Sequence, residues 1–340
     1  SLSRFLIARS FLSRSASIPS TRRIAEAGRA RGHQVRVLNP GRVEMHLDGS
    51  SASLYHKRKK LPPCDVVIPR IAQSINTYGL AVVNQFGIRG VPLMNTAQAI
   101  AQSRNKMRSL QLLSANGIDI PATVMAREAA DLKAMVGLVG GVPVLVKLLQ
   151  GQEKHGVMVC ESLQSLEAAL EAVLGLGHNL VVQQYVKNTG QDIRVIVVGG
   201  QALAAVQRRP RMGRLSHTLI KGARLEAIEL TEACRVTAER TARLVGLEVA
   251  AVDLLDVKGQ PKVFEVNSSP ALPEMEEATG MDLATPIIER AEALVGGAAR
   301  VDQQEPGAGA SASSSPTAQG GSSRRKAKGR PPGKVSSGRG

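Results

Sequence analysis

Aromatic side chains are scarce in this chain, which has no tryptophan, three tyrosines and four phenylalanines among 340 residues. So few rings make a base-stacking surface for nucleic acid a poor interpretation. The three cysteines lie far apart and form neither a disulfide framework nor a zinc ligand set, which indicates a reducing, cytoplasmic setting. No stretch approaches the roughly 20 uninterrupted apolar residues of a membrane span, so we expect no membrane contact.

Acidic residues are few near both ends of the chain. Residues 1–70 hold 14 basic and 4 acidic side chains, and residues 301–340 hold 7 and 2, so the net charge of +16 comes almost entirely from the ends. Basic ends favour acidic protein surfaces or phosphates as partners. Residues 301–340 have almost no large apolar side chain and are predicted to form a disordered tail. Its segment 328–331, KGRP, is similar to an AT-hook core, so weak nucleic-acid contact and a non-specific basic tail are both open interpretations.

Strands and helices alternate in the first part of the chain, which predicts a parallel sheet in an α/β fold. A Ser/Arg-rich connection is expected at 10–20, and the predicted elements are strands at 5–8, 35–38, 65–68 and 91–94 and helices at 21–31 and 77–86. A long helix is expected over 95–113. With 43% hydrophobic residues, the chain can fill the cores of two or three subdomains.

The pattern changes after residue 120, where short strands and helices predict a small α+β lid. The lid elements are helices at 127–136 and 163–174 and strands at 142–149, 157–160 and 179–185. A hairpin (192–198 and 201–207), a helix (232–244), two strands (248–256 and 261–266) and a helix (282–295) follow. We therefore divide the chain into a domain at 1–97, a second domain at 98–300 with its lid at about 115–186, and a tail at 301–340.

The strongest group of polar residues lies on the last two predicted strands. Asp253 is on one strand, and Glu265 and Asn267 are on the next. Because side chains alternate along a strand, Glu265 and Asn267 face the same side, with Asp253 opposite. Three hard oxygen ligands suit magnesium, whereas the alternative is a charged strand edge beside a turn. Acidic side chains on apolar strands are costly unless they are coordinated, which favours the metal site.

Two lysines flank the expected cleft. Lys147 ends an apolar strand and Lys106 lies on the helix before the lid, so the pair can hold nucleotide phosphates, although a lysine at a strand end is often a simple surface residue. The glycine-bounded loop 150–156 can cover phosphates with backbone N–H groups, or it is an ordinary hairpin loop. The segment 183–186 and the nearby Asp192 are suited to an adenine and a ribose.

Five arginines cluster around the predicted hairpin and the connection after it. Arginine forks bind carboxylates and phosphates in a bidentate manner. The alternative is a solvated basic face, which we favour for the last two. The five residues are Arg194, Arg208, Arg209, Arg211 and Arg214.

Together these residues resemble the RimK group of ATP-grasp ligases over residues 5–295. The matching segments are 60–62 (KLP), 65–71 (DVVIPRI), 106–113 (KMRSLQLL), 117–121 (GIDIP), 146–148 (VKL), 192–194 (DIR) and 264–270 (FEVNSSP). The resemblance implies an ATP-grasp fold with a pre-ATP-grasp domain and an inserted lid. It also implies a homotetrameric ligase that phosphorylates a carboxylate with ATP and adds glutamate to the C-terminus of a small-subunit ribosomal protein.

The resemblance assigns roles to individual residues. Lys106 and Lys147 are expected to contact the ATP phosphates, and Asp192 the ribose. The adenine hinge is expected to consist of Gln184, Tyr185 and Val186. Arg194 and Arg209 are expected near the acyl phosphate and the acceptor carboxylate. Two Mg²⁺ or Mn²⁺ ions are expected on Asp253, Glu265 and Asn267.

Three positions depart from the family pattern. Residues 151–156 read GQEKHG where the family usually has GTQGIG, Gln184 replaces a common glutamate, and 216–218 read SHT in place of an Arg-Ser-Asn triplet. Because both lysines and the expected metal ligands are kept, we favour an active ligase with a shifted substrate preference. The same chemistry on a small molecule or an amino-group carrier, and a nucleotide-binding regulator without turnover, are the alternatives.

Overall fold

The structure is a computed structural model that describes residues 8–49, 51–72, 74, 76–126, 131–148, 157–175, 180–186, 192–209 and 224–302. Strands in this part of the chain form four sheets. Beyond residue 302, the predicted tail and its AT-hook-like segment lie outside the described residues. None of the helices in the described ranges is both long enough and apolar enough to span a bilayer.

The N-terminal domain is built on a parallel sheet, as the alternation of strands and helices predicts. Its elements are β1 (Ala8–Ser13), α1 (Pro19–Ala30), β2 (Gln34–Leu38), a 3-10 turn (Pro40–Arg42), β3 (Val43–Asp48), β4 (Ser51–His56), β5 (Lys59–Lys60), β6 (Val66–Arg70) and α2 (Asn76–Ile88). The sheet order is β2-β1-β6, and a single parallel bridge from Val67 to Leu93 replaces the strand predicted at 91–94. β1 occupies much of the expected Ser/Arg connection, because Phe11 and Leu12 are the side chains that the core takes up.

A second, antiparallel sheet of β3, β4 and β5 lies in the chain between β2 and β6, and our sequence analysis did not predict it. The segment VEMHLD of β3 does alternate apolar and polar residues, which is the pattern of a half-buried strand. Leu54 of β4 is fully buried with Val43 in the domain core. The Tyr78 hydroxyl of α2 donates to the Val43 carbonyl at 2.6 Å and ties this sheet to the helix.

The long helix predicted over 95–113 is interrupted at Asn105. α3 (Ala97–Arg104) begins after Thr96, whose hydroxyl accepts from the backbone N–H of Ala99, and α4 (Lys106–Ala115) begins after Asn105. The Asn105 side chain accepts from the backbone N–H of Arg108 at 3.0 Å, which is a helix N-cap bond. This second cap places Lys106 at the first residue of a new helix.

The lid is an antiparallel sheet of order β7-β10-β8-β9 with two helices on one face. Its elements are β7 (Thr123–Ala126), α5 (Leu132–Leu138), β8 (Val144–Leu148), β9 (Val157–Cys160), α6 (Leu163–Gly175) and β10 (Leu180–Gln184). Val144, Val146 and Val182 face the helices and pack with Leu166 and Leu170. The other face of the lid sheet is therefore available to the cleft.

The largest sheet is antiparallel and has the order β13-β12-β11-β14-β15. The remaining elements are β11 (Asp192–Val198), β12 (Gln201–Arg209), β13 (Arg224–Ala227), α7 (Glu232–Val245), β14 (Val249–Val257), β15 (Gln260–Asn267), α8 (Pro273–Thr279) and α9 (Ala284–Asp302). Helix α7 covers one face of this sheet, where Ala238 packs with Val195 and Val252.

The opposite face of the large sheet shares one core with the N-terminal domain. Ile196 of β11 and Ile288 of α9 belong to the same buried cluster as Phe11 of β1 and Ile24 of α1. This shared core joins the two domains side by side. On the same face, polar side chains follow the apolar ones toward the cleft, at the ends of β11, β12, β14 and β15.

Candidate active site

Asp253 and Glu265 lie directly opposite each other on β14 and β15. Asn267 is two residues further along β15 and faces the same side, opposite Ala251. The geometry agrees with the convergence predicted from strand alternation. Beside them is a cleft of about 200 Å³, whose lining includes Lys106, Glu265 and Asn267.

Hydrogen bonds from two asparagine side chains to backbone groups hold the segment after β15 in place. The Asn267 side chain accepts from the backbone N–H of Ser269 at 2.8 Å, which turns the chain at the strand end. The buried Asn95 amide donates to the carbonyls of Val249 and Ser268 at 2.8 and 3.0 Å. One asparagine between the domains therefore fixes the start of β14 relative to the segment that carries the expected ligands.

Two arginines hold the Asp253 carboxylate. Arg194 donates to it through Nε at 2.8 Å and Nη2 at 2.7 Å, and Arg208 Nη2 lies 3.0 Å from its Oδ2. Burial by itself raises the pKa of Asp253, but the two guanidinium groups outweigh burial and lower the pKa to about 2. Asp253 is therefore a carboxylate at neutral pH.

Arg208 also binds the carboxylate of Asp192, with Nε and Nη2 at 2.5 and 2.7 Å from its two oxygens. Burial raises the pKa of Asp192, and the charge of Arg208 opposes that rise. We call Asp192, Arg194, Arg208 and Asp253 the arginine–aspartate cluster. Asp192, expected at the ribose, is thus engaged by an arginine in this structure.

Arg209 lies on the other face of the large sheet. Its Nε is 2.9 Å from Glu226 Oε2 on β13, and 49% of its side chain is exposed. Because neighbouring residues on a strand point to opposite faces, Arg208 reaches the cluster and Arg209 does not. Arg209, which was expected near the acyl phosphate together with Arg194, thus lies at Glu226, and Arg208 is the arginine that lies beside Arg194 at Asp253. A β-bulge between Ile196 and Val197 shifts the register of the hairpin by one residue and brings Arg208 opposite Asp192, which the short turn by itself would not have indicated.

Lys106 and Lys147 approach the cleft from the two sides. Lys106 Nζ lies 3.8 Å from Glu265 Oε1, and Lys147 Nζ lies 5.8 Å from the centre of the Phe264 ring. Burial lowers the pKa of Lys147 to about 8, and the positive charge of Lys106 acts in the same direction. The two lysines are thus brought together around β15, as the sequence predicts.

Gln183, which our sequence analysis considered only as part of the segment 183–186 suited to an adenine, has a different contact in the structure. This fully buried side chain accepts from Lys147 Nζ at 2.6 Å and donates to the Thr123 hydroxyl at 2.8 Å. The Thr123 hydroxyl in turn donates to the Pro121 carbonyl at 2.7 Å. The chain of bonds orients the Lys147 ammonium. A polar residue within the apolar strand LVVQQ was the available signal.

The expected adenine hinge begins at Gln184, the last residue of β10, and continues beyond the strand. The backbone N–H of Gln184 donates to the Ala122 carbonyl at 2.7 Å, so this edge of the lid is tied to the segment before β7. Tyr185 is half-buried and Val186 is buried. The loop 151–156, the triplet 216–218, Arg211 and Arg214 lie outside the described residues.

The donor set fits a hard divalent cation. Among the described residues no three His, Cys, Asp or Glu side chains come together as a metal site, so the amide oxygen of Asn267 is needed beside the carboxylates. Burial and the charge of Asp253 raise the pKa of Glu265, although Lys106 opposes them. Glu265 is thus an incompletely compensated buried acid, which a cation would stabilise in its charged form.

Comparison with known proteins agrees with this geometry. A model of the RimK-like ATP-grasp domain matches residues 103–291, and a model of the RimK pre-ATP-grasp domain matches residues 10–100. The chain is 43% identical over 282 residues to a probable alpha-L-glutamate ligase of Pseudomonas aeruginosa, covering 83% of this chain and 94% of that protein. It is 42% identical over 278 residues to a protein of the same description from Thioalkalivibrio sulfidiphilus, covering 82% and 92%.

Solved structures share the fold at lower identity. The ATP-grasp ligase PsnB complexed with minimal precursor superposes with a TM-score of 0.70 at 21% identity, over 85% of this chain and 100% of that chain. A RimK domain protein ATP-grasp from Sphaerobacter thermophilus gives a TM-score of 0.64 at 21% identity, over 84% and 99%. The N-terminal domain, the lid and the large sheet thus have the arrangement found in these proteins.

Proposed function

The chain belongs to the RimK-like ATP-grasp ligases, and from this we propose that it uses ATP to add glutamate to the C-terminus of a protein. We propose a small-subunit ribosomal protein as the acceptor, and a homotetramer in the cytoplasm as the working form. The single observation that carries the proposal is the cleft in which Lys106, Glu265 and Asn267 meet, with Lys147 above Phe264. Carboxylates, an amide and two ammonium groups are the groups that phosphoryl transfer from ATP needs.

The proposed reaction has two steps. An oxygen of the acceptor's terminal carboxylate attacks the γ-phosphorus of ATP, the bond to the β-phosphate oxygen breaks, and an acyl phosphate and ADP form. The amine of glutamate then attacks the acyl carbon, phosphate leaves with the bonding electron pair, and the nitrogen loses a proton as the amide forms. Phosphorylation is required because a carboxylate is a poor electrophile with no adequate leaving group.

The residues of the chain divide this work. Lys106 and Lys147 neutralise the phosphates, and Gln183 orients Lys147 through the 2.6 Å bond. Gln184, Tyr185 and Val186 border the adenine. Asp253, Glu265 and Asn267 would hold magnesium or manganese, which supplies charge neutralisation at the transferring phosphoryl group.

Arg194 and Arg208 are proposed to stabilise the acyl phosphate. Both guanidinium groups already lie on one carboxylate, Asp253, so they are oriented toward the same small volume. Arginine forks suit phosphate oxygens geometrically. In this proposal Arg208 replaces Arg209 as the partner of Arg194.

The test combines phosphate release with protein mass. The chain is incubated with ATP, Mg²⁺, glutamate or each other amino acid, and purified small-subunit ribosomal proteins. A mass gain in whole glutamate units on one protein is expected. ATP turnover without any such gain would favour a small-molecule acceptor, and nucleotide binding without turnover would favour a regulatory protein.

A pair of matched variants assigns the activity to the cleft. Glu265→Gln is expected to abolish glutamate addition, because it removes a negative charge from the proposed metal site. Glu226→Gln makes the same change on the opposite face of the sheet, where Glu226 pairs with Arg209, and should keep the activity. Equal activity in the two variants would contradict the assignment.

A further inference from the structure

A strongly basic hairpin tip lies on the N-terminal domain, outside the active site. Lys57 and Arg58 form the turn between β4 and β5, and Lys59 and Lys60 form β5. All four side chains are exposed. Within the described ranges, none of the four forms an ion pair with a carboxylate. The tip therefore presents four uncompensated positive charges to solvent.

The backbone of this tip is unfavourable for the residues that occupy it. Lys57 and Arg58 have φ angles of 54° and 63°, which lie in the left-handed region. A two-residue turn of this kind, between the paired His56 and Lys59, favours Asn-Gly. Side chains with a Cβ are disfavoured there, whereas glycine is not. The chain thus keeps two cations in a turn where glycine would be more stable.

The tip is connected through packed residues to the wall of the active-site cleft. Leu54 and Leu61, on either side of the tip, are buried in one cluster with Ile71. Ile71 also lines the cleft that contains Lys106 and Glu265. The backbone bond from the N–H of Leu61 to the Leu54 carbonyl, 2.8 Å, closes the base of the tip. The base of the tip and the wall of the cleft are thus joined through one buried cluster.

We propose that the tip of residues 57–60 binds the acidic C-terminal tail that the reaction produces, an inference that rests on the proposed function. Each addition leaves one new side-chain carboxylate and keeps a free terminal carboxylate, so the product becomes more negative than the substrate. Four neighbouring cations are complementary to such a tail. The rings next to the tip, those of Tyr55 and His56, are both half-buried, so the tip has no exposed stacking surface that would favour RNA.

Binding at the tip would keep a partly extended acceptor close to the cleft for another addition. Each exposed ion pair changes affinity by roughly 1.5- to 5-fold. Reversing two of the four charges should then weaken binding of a glutamate-rich tail by about tenfold or more. The effect should be largest at low salt, because exposed charges are screened.

The experiment measures binding without ATP, so that it does not depend on turnover. The probe is a fluorescent peptide ending in four glutamates, compared with the same peptide ending in four glutamines. The variant is Arg58→Glu with Lys59→Glu. The control is Arg243→Glu with Lys258→Glu, which reverses the charges of two exposed residues of the large-sheet domain. Lys258 matches Arg58 because it also lies in a hairpin turn and has a φ of 54°. Tighter binding of the glutamate peptide, lost about tenfold in the variant and kept in the control, is expected.

Three results would overturn the proposal: equal binding of the two peptides, equal affinity in the tip variant and the control, or RNA bound at the tip more tightly than the glutamate peptide. Arg58→Gly serves as a second variant, because it removes one charge while favouring the turn. It should weaken binding by roughly 1.5- to 5-fold without loss of folding. If the wild-type chain adds glutamate, the charge-reversed tip should keep the first addition within about twofold and give fewer additions per acceptor. Failure of glutamate addition in the wild type would refute the proposed function and leave the binding result to stand separately.

Discussion

Replacing Arg208 by methionine is expected to be among the most damaging single changes in the large sheet. The guanidinium holds Asp192 at 2.5 and 2.7 Å and lies 3.0 Å from Asp253, and only 10% of the side chain is exposed. Methionine keeps the apolar stem and removes the charge. Asp192 would then lose its fork and Asp253 would keep only Arg194. Removing one partner of a buried ion pair costs about 3–5 kcal/mol in the free energy of unfolding.

The lowered pKa of Asp253 gives the joint contribution of Arg194 and Arg208, of which Arg208 supplies only a part. Its folded value of about 2 lies below the usual 3.8, a difference of about two units that corresponds to roughly 2–3 kcal/mol of stability. Because the folded pKa is depressed, this stability is fully present above pH 4 and is lost as the pH falls toward 2. In the variant, Asp192 and Asp253 can take up protons at higher pH. The stability difference from the wild type should therefore be largest at pH 7 and smaller near pH 4.5.

The assay is urea unfolding followed by circular dichroism at both pH values. Arg209→Met is the matched control, since this neighbour is 49% exposed and pairs with a single carboxylate, so its loss should stay within about 1 kcal/mol. Equal losses in the two variants at pH 7 would refute the reasoning. A loss for Arg208→Met that grows as the pH falls would refute the assigned cause.

Three further predictions concern other residues. Gln183→Leu removes the 2.6 Å bond to Lys147 and should raise KM for ATP by about 10- to 100-fold, with a smaller effect on kcat. Thr123→Val, which removes only the bond from Gln183 to the Thr123 hydroxyl, should change KM by less than tenfold. Equal effects of the two variants on KM would contradict the proposed orientation of Lys147. Because the pKa of Lys147 is lowered to about 8, nucleotide affinity measured by calorimetry should weaken as the pH rises from 7 to 9, and Lys147→Met should abolish that pH dependence. The charged, buried Lys147 also lowers the stability of the folded state below pH 8. This loss of stability disappears as the pH rises from 8 to about 10.4, where the lysine of the unfolded chain also loses its proton. Arg58→Gly should raise the free energy of unfolding by about 1 kcal/mol, because the φ of 63° at this position suits glycine. The measurement is the Tm, which should increase by about 2–4 °C. An unchanged or lower Tm would argue against strain in the turn.

Part of the candidate site was predictable because it depends on local rules. Strand alternation was enough to place Glu265 and Asn267 on one side, whereas a β-bulge between Asp253 and Leu254 shifts the register and brings Asp253 opposite Glu265. The same rules located α7, the β11–β12 hairpin and three strands of the lid sheet to within a few residues, whereas β7 was not predicted. The family followed from short segments such as residues 264–270, and comparison with known proteins confirms it.

The choice between Arg208 and Arg209, in contrast, depended on tertiary structure. Both residues are arginines and they are adjacent in the chain. Only the pairing of β12 with β11 decides which of the two faces Asp253. A shift of one residue in that register would exchange their places. The bond from Lys147 to Gln183 likewise joins two strands 36 residues apart. By itself the sequence determined the α/β alternation through its periodicity, the family through its short matching segments, and the side of β15 shared by Glu265 and Asn267 through strand alternation. Tertiary structure alone decided which arginine neutralises Asp253 and which side chain orients Lys147, because distant segments make those contacts.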